Sequence, residues 1–219
     1  MNLILRHLTI GATFFAFGGE LATAQTAPTP KKIETEVKVA VGQRIVNAAR
    51  AQIGKTIRYD PSYVSLKYPG GDVPIDRGVC TDVVIRALRT GIEFDLQKAV
   101  HEDMKKAFSK YPTIWGLKRT DRSIDHRRVP NLKTFFQRRG VALKVTKTAE
   151  DYLSGDLVTC TVPPHLPHIM IVSDTKSADG TPLIIHNIGG GAREEDRLFS
   201  FELTGHYRLK DAKVPAPKK

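Results

Sequence analysis

Hydrophobic and polar residues follow two different periods along this chain. Up to residue 140, apolar residues recur every three or four positions, which predicts amphipathic helices. The apolar positions of the four predicted helices are Ile45, Ala48, Ala49 and Ile53; Val83, Val84, Ala87 and Leu88; Leu96, Val100, Met104, Ala107 and Phe108; and Leu132, Phe135 and Phe136. Asp95 can cap the third helix and Pro130 can open the fourth. Stop signals follow the helices at Gly54, Gly91, Tyr111-Pro112 and Gly140.

After Gly140 the period changes to two, which predicts strands. The alternation covers residues 157–162, 168–173 and 184–187, with Asp179-Gly180 as a turn between the last two. Two closing strands are expected at 197–203 and 205–209. Helices that precede antiparallel strands indicate an α+β fold, with N-terminal helices packed on a C-terminal antiparallel sheet.

Composition agrees with one globular domain of ordinary size. The chain has 219 residues, of which 41% are hydrophobic and 26% are charged, enough for a real core. Two cysteines are too few for a disulfide scaffold. Since no run of eighteen or more apolar residues occurs, we expect no integral membrane anchor.

The two ends of the chain differ from the domain between them. Residues 1–24 have a short polar start, an apolar stretch and Ala22-Thr23-Ala24, which predicts a signal peptide. Residues 25–40 are rich in Pro, Thr and Lys and predict a flexible linker, and 211–219 predict a basic tail. The domain is therefore expected at 41–210, in a periplasmic or secreted protein.

The chain is strongly basic. It has 34 Lys and Arg residues against 23 Asp and Glu, a formal net charge of +11. This excess favours an anionic partner, and for an exported protein we expect peptidoglycan or another anionic cell-envelope polymer. Nucleic acid is not expected, because the basic residues are spread along the chain. We expect a monomer.

Cys80 is the first candidate for chemistry. It lies where a long polar loop, residues 55–79, ends and a helix begins. The unpaired backbone N–H groups and the positive end of the helix dipole favour an anion there, so a lowered thiol pKa is expected. A reactive thiolate also needs a base and a group that orients this base.

Two histidines are placed for those roles. His168 opens one predicted strand and His186 ends the next. If the strands pair about a midpoint near Ser177, the two side chains are directly opposite on one face, a few Å apart. Asn187 then points to the other face and becomes the orienting candidate only if a bulge intervenes.

Two other uses of these residues stay open at this point. Cys80 and Cys160 could form a disulfide in an oxidising compartment, although Cys160 lies among core residues. His165, His168, His186 and Cys80 together offer enough ligands for zinc, but no CxxC or HExxH pattern supports a metal site. We therefore expect no metal.

Long motifs resemble one family of exported bacterial proteins, the YijF-like domain of unknown function. The resemblance covers about residues 43–209. The runs that carry it are YPGGDVPIDRGVCTDVVIRAL, HEDM, WGLKRTDRSIDHRRVPNL, SGDLVTC, LPHIMIVSD and IIHNIGGG.

The same order more distantly resembles the NlpC-type cysteine peptidases, which have a papain-like fold and cut peptidoglycan stem peptides. Tyr68 and two glycines precede Cys80, and a Gly-Asp-Leu-Val segment, 155–158, leads into the strands. This resemblance implies Cys80 as nucleophile, His168 as base and acid, and His186 as the residue that orients His168. It also implies that Tyr68 helps to bind substrate or the oxyanion, and that no cofactor is needed.

The sequence departs from the NlpC pattern around the nucleophile. The Asp that precedes the cysteine in that family, and helps to hold a free amino end, is here Val79. Asp82 could replace it from the helix. In the polar stretch 121–128, His126 and Arg127 are candidates for the cleft, although a solvated loop fits this stretch equally well. With Tyr68 and Asn187, these residues are the expected substrate-binding set.

The sequence therefore predicts an exported cysteine hydrolase. It would cleave an amide or peptide bond, in peptidoglycan stem peptides, through a Cys-His-His triad and a thioester intermediate. Two alternatives from other classes stay open: a non-catalytic envelope-binding module on the same fold, and an acyltransferase that passes the thioester to an amine.

Overall fold

A computed structural model describes residues 41–210. The predicted signal peptide at 1–24, the linker at 25–40 and the basic tail at 211–219 lie outside the described residues. Within 41–210, no helix is both long and apolar enough to cross a membrane.

The described residues form four α-helices, as the periodicity predicts. They are α1, described over 41–50, α2 (Cys80–Ile92), α3 (Leu96–Lys106) and α4 (Val129–Arg138). Short 3₁₀ turns lie at Phe108–Lys110, Asp125–Arg127 and Ala149–Asp151. The Asp95 carboxylate accepts hydrogen bonds from the backbone N–H groups of Gln97 and Lys98, which confirms it as the cap of α3.

The end of α2 differs from the prediction. Gly91 lies inside the helix, and the chain leaves it only at Glu93, in the left-handed region at φ 56°. A side chain on Gly91 would place its Cβ 2.7 Å from the carbonyl oxygen of Arg44. This glycine therefore permits close packing of α2 against α1 instead of ending α2.

Strands in the described residues form two sheets. β1 (Arg58–Tyr59) and β2 (Arg77–Gly78) are a short parallel pair inside the loop that precedes Cys80. The larger sheet has the order β3-β8-β4-β5-β6-β7 and is antiparallel. Its strands are β3 (Ala142–Leu143), β4 (Leu157–Val162), β5 (Leu166–Lys176), β6 (Pro182–Asn187), β7 (Ala192–Glu195) and β8 (Glu202–Tyr207). The expected α+β class is thus confirmed.

The closing strands were placed wrongly by the alternation. β7 and β8 lie at Ala192–Glu195 and Glu202–Tyr207, whereas 198–201 is a turn and bend. β8 is one strand where two were expected, because it runs without a break through residue 204, between the two predicted ranges. β3 has only two residues and therefore shows no alternation. Short edge strands carry too few residues to show a period of two.

The helices cover one face of the large sheet. Ile169, Ile171 and Ile185 point from β5 and β6 into a cluster with Val83 and Leu88 of α2. Residues that alternate with them form a second cluster on the other side of the sheet: Val158, Cys160, Met170, Val172 and Ile184. This packing places the N-terminal end of α2 at the start of β5, which positions the candidate site.

Candidate active site

Cys80 is the first residue of α2, directly after β2 and Val79. The Asp82 carboxylate accepts a hydrogen bond of 2.7 Å from the Val79 backbone N–H, which secures the helix start. The backbone N–H groups of Ile169, Thr81 and Cys80 favour the thiolate form of Cys80, so its sulfur lies near all three. The Cys80 side chain therefore lies between the first turn of α2 and the first residues of β5, next to Ile169, which directly follows His168.

Burial controls the charge of Cys80. The residue is only 4% exposed, and burial raises the pKa of its thiol to about 11 despite the three backbone donors. The expected lowering of the thiol pKa is wrong for this pocket, because desolvation of the thiolate outweighs the helix start. The resting group is a neutral thiol at physiological pH.

His168 and His186 lie together as the sequence analysis expected, but not directly opposite each other. Ile171 pairs with Ile185, so the register is shifted by two positions from the one expected for the two histidines. A shift of two keeps both side chains on the same face of the sheet. His168 Nε2 and His186 Nδ1 are 2.8 Å apart, with the rings edge to face.

Both histidines are buried and neutral. Burial lowers the pKa of His168 to about 3, with a smaller contribution from His186. The pKa of His186 is lowered by burial as well, although the carboxylate of Glu195 opposes that effect. His186 Nε2 lies 2.9 Å from Glu195 Oε2, so the two rings and the carboxylate form a continuous chain of hydrogen bonds.

Asp82 and Arg127 form a buried ion pair behind Cys80. Arg127 Nε lies 2.9 Å from Asp82 Oδ1, and Nη2 lies 3.0 Å from Oδ2. Arg127 also donates to the Ser62 carbonyl oxygen at 3.2 Å, and its own carbonyl accepts from the Thr81 hydroxyl at 3.1 Å. The pair therefore connects the loop before β2, the first turn of α2 and the 121–128 stretch.

A pocket of about 300 Å³ opens over Cys80. Apart from Cys80, Tyr59 and Arg127, its walls are apolar or aromatic. The other lining residues are Pro61, Val79, Ile114, Trp115, Ile124, Val129, Pro130 and Pro167. The guanidinium carbon of Arg128 lies 4.2 Å from the centre of the Trp115 ring, a cation–π contact at the rim.

Tyr59 and Glu195 are two functional candidates that the sequence analysis missed. Tyr59 lines the pocket, and burial together with Cys80 and Asp82 raises the pKa of its hydroxyl to about 12, so it stays a proton donor. Its residue type gave no signal, because several tyrosines precede Cys80. Glu195 could have been found only from the β6–β7 register, which pairs Ile184 with Glu195.

Four of the five expected substrate-binding residues are not among the residues that line the pocket: Tyr68, Asp82, His126 and Asn187. The two expected catalytic histidines, His168 and His186, are not among them either. The Tyr68 ring packs edge to face on His101, with ring centres 5.1 Å apart. His126 is 2% exposed, and burial lowers the pKa of its ring to about 3. Asn187 is fully buried, where its amide donates to the Gly78 carbonyl oxygen at 2.9 Å and its oxygen accepts from the Gly191 N–H at 3.2 Å. Asn187 thereby holds the segment that leads into Cys80.

The structure also bears on the two other interpretations of these residues, a Cys80–Cys160 disulfide and a zinc site. Cys80 and Cys160 are both free thiols in the structure. Within the part of the chain that the structure describes, no three His, Cys, Asp or Glu side chains are grouped to hold a metal ion.

Comparisons with known proteins identify relatives without an assigned activity. A family model described as Domain of unknown function (DUF1287) matches residues 46–209. "Uncharacterized protein YijF" of Escherichia coli (strain K12) is 53% identical over 188 residues, which are 86% of this chain and 89% of that protein. These matches confirm the resemblance to the YijF-like proteins.

A solved structure with an NlpC title is also similar, at a much greater distance. The structure of NlpC1 from Trichomonas vaginalis matches with a TM-score of 0.41 and 12% identity. The match covers 76% of this chain and 43% of that one, so this chain spans less than half the length of the matched structure.

Proposed function

Because the chain belongs to the family of the Domain of unknown function (DUF1287), whose description names no activity, we propose a function from the site itself. The protein is a cysteine hydrolase that cleaves an amide bond in peptidoglycan stem peptides. One observation carries this proposal: a thiol at the start of a helix lines a pocket and lies near the backbone N–H of Ile169, the residue that follows His168. His168 in turn is hydrogen-bonded to His186.

The pKa values favour a neutral starting pair. With the pKa of Cys80 at about 11 and that of His168 at about 3, the resting thiol keeps its proton. We assign His168 as the group that accepts this proton, because it directly precedes Ile169, whose backbone N–H lies near the Cys80 sulfur. The sulfur forms a bond to the substrate carbonyl carbon in the same step. The thiol is thus activated during the attack and not before it.

The rest of the reaction follows from the same groups. The tetrahedral intermediate collapses as its C–N bond breaks, and His168 gives its proton to the leaving amine. Water then loses a proton to His168 and attacks the thioester carbon, which releases the acid and returns the thiol. The oxyanion is stabilised by the Cys80 backbone N–H and by the protonated hydroxyl of Tyr59, which takes the role expected of Tyr68.

The pocket supports an internal bond as the substrate, not a bond next to a free amino group. Asp82, the expected holder of such an amine, is 2% exposed and is occupied by Arg127 and the Val79 N–H. No carboxylate lines the described pocket, so an ammonium group would be desolvated there without a counter-ion. Apolar walls fit an uncharged acyl group, and the net charge of +11 favours an anionic polymer as the source.

Release of soluble fragments from purified peptidoglycan sacculi tests the proposal. The wild-type protein should release peptides, and Cys80→Ala and His168→Ala should reduce release to background while circular dichroism stays unchanged. Cys160→Ala is the matched control, since Cys160 is a second buried thiol that lies outside the pocket.

Other outcomes of that assay separate the alternatives. Salt-sensitive retention of the protein on sacculi without any release would replace the hydrolase with a binding module. Fragments joined to an added amine, instead of ending in a free acid, would replace hydrolysis with acyl transfer.

A further inference from the structure

Glu195 extends the histidine pair by one carboxylate. It lies on β7, next to β6, and its side chain is 26% exposed, whereas the His186 side chain is completely buried. Its Oε2 atom lies 2.9 Å from His186 Nε2 and 3.5 Å from the Nε of Arg197. The hydrogen bond from His186 and the charges of Arg197 and Arg193 lower the pKa of Glu195, so this carboxyl group is ionised at neutral pH.

The carboxylate fixes where the protons of both rings lie. An ionised carboxylate can only accept, so Nε2 of His186 carries the proton. Because His186 is neutral, its Nδ1 has a lone pair, and the 2.8 Å contact requires His168 to donate from Nε2. His168 is neutral too, which leaves the lone pair on Nδ1 as its basic site.

We propose that Glu195 is a positioning residue that sets, through His186, the tautomer of His168. This inference rests on the proposed function, because it assigns His168 Nδ1 as the atom that receives the Cys80 proton. Without the carboxylate, His186 can donate from Nδ1, and His168 then has to accept on Nε2 and carry its proton on the wrong nitrogen.

The neighbouring Glu194 provides a matched control. It lies on the same strand, but its carboxylate is bound to the guanidinium of Arg50, with Nε–Oε2 at 3.0 Å, and to the hydroxyl of Ser173. Loss of Glu194 therefore removes a partly buried carboxylate and an ion pair without a change in the histidine chain.

Long-range ¹H–¹⁵N spectra of the full chain, labelled with ¹⁵N-histidine, test the inference without any substrate. The wild type and Glu194→Gln should show both His168 and His186 protonated on Nε2. In Glu195→Leu, the two rings should no longer be protonated on Nε2 alone. Glu195→Gln should show the wild-type protonation, because its amide oxygen can still accept a hydrogen bond from His186. An unchanged pattern in Glu195→Leu would overturn the inference, whatever the activity.

Kinetics of fragment release give the second readout. Glu195→Leu should lower kcat about tenfold or more with KM within about twofold, because a misplaced proton affects the transition state and not binding. A wild-type kcat in Glu195→Leu, together with an altered tautomer of His168, would also overturn the positioning role of Glu195. If Cys80→Ala keeps its activity, the proposed function fails, while the spectra still decide the tautomer on their own.

Discussion

Asp82 and Arg127 face each other in a two-point ion pair directly behind Cys80, with both side chains at least 97% buried. The pair is 45 residues apart in sequence and joins the helix start to the 125–127 turn. It explains why neither residue is free to bind an ionic substrate group: each charge already satisfies the other. Through Arg127, which lines the pocket, the pair fixes part of the pocket wall.

Loss of one partner of this pair should be costly. Asp82→Ala leaves the Arg127 guanidinium buried without a counter-ion and should lower the free energy of unfolding by about 3–5 kcal/mol. The double variant Asp82→Leu/Arg127→Met should cost much less than the sum of the single changes. Urea unfolding measures all three.

The control for that series is an exposed pair. Glu102 lies 4.0 Å from Lys98 on α3, and both side chains are about half exposed. Glu102→Ala should change stability by less than about 0.5 kcal/mol. A cost for Asp82→Ala as small as this would show that the pair is not structural.

The reactivity of Cys80 should rise with pH. Since the pKa of its thiol is about 11, the thiolate fraction increases about tenfold per pH unit between pH 7 and 9. Alkylation of Cys80 by iodoacetamide, located by peptide mapping in Cys160→Ala, should follow this slope. A rate that is already constant from pH 5 upward would reveal a preformed thiolate and contradict the neutral resting pair.

Buried neutral histidines should make the fold sensitive to acid. The pKa of His126 falls from an unfolded value near 6.5 to about 3, so the unfolded state binds more protons between those values. Stability is full above about pH 6.5 and is lost as the pH falls. The loss for His126 is on the order of 3 kcal/mol between pH 6.5 and 4.

Comparison of urea unfolding at pH 7 and pH 4 in the wild type and in His126→Leu isolates this effect. The variant should show a smaller loss at low pH. Burial raises the pKa of the Asp125 carboxyl group to about 6, so Asp125 increases stability as the pH falls, opposite to His126. Asp125 is present in both proteins, so its contribution cancels in the comparison. An equal loss in the two proteins would show that His126 is not the acid-sensitive group.

Asn187 should act as a structural support of the nucleophile. Asn187→Ala removes hydrogen bonds to the Gly78 carbonyl and from the Gly189 and Gly191 N–H groups, and should cost about 2–4 kcal/mol. Gln43→Ala, which removes an amide with surface hydrogen bonds, should cost less than about 0.5 kcal/mol. If Asn187→Ala instead keeps its stability and raises only KM, Asn187 contacts substrate.

Local chemistry made part of the site predictable. The helix start at Cys80, the Asp95 cap and the shared face of His168 and His186 follow from spacing and period within short segments. The contacts of Tyr59 and Glu195 could not be predicted from local spacing. They depend on how the 55–79 loop and β7, which are distant in sequence from the rest of the site, pack against it. The pKa of Cys80 likewise depends on tertiary burial, which the position of a cysteine at a helix start cannot reveal.

The most direct test of Cys80 as nucleophile is the mass of a covalent intermediate. Wild-type protein mixed briefly with soluble peptidoglycan stem peptides and quenched in acid should carry an acyl group on the Cys80 peptide. His168→Ala should carry none. Peptide release by Cys80→Ala at the wild-type rate, with no acyl group on the wild-type cysteine, would contradict a thioester mechanism.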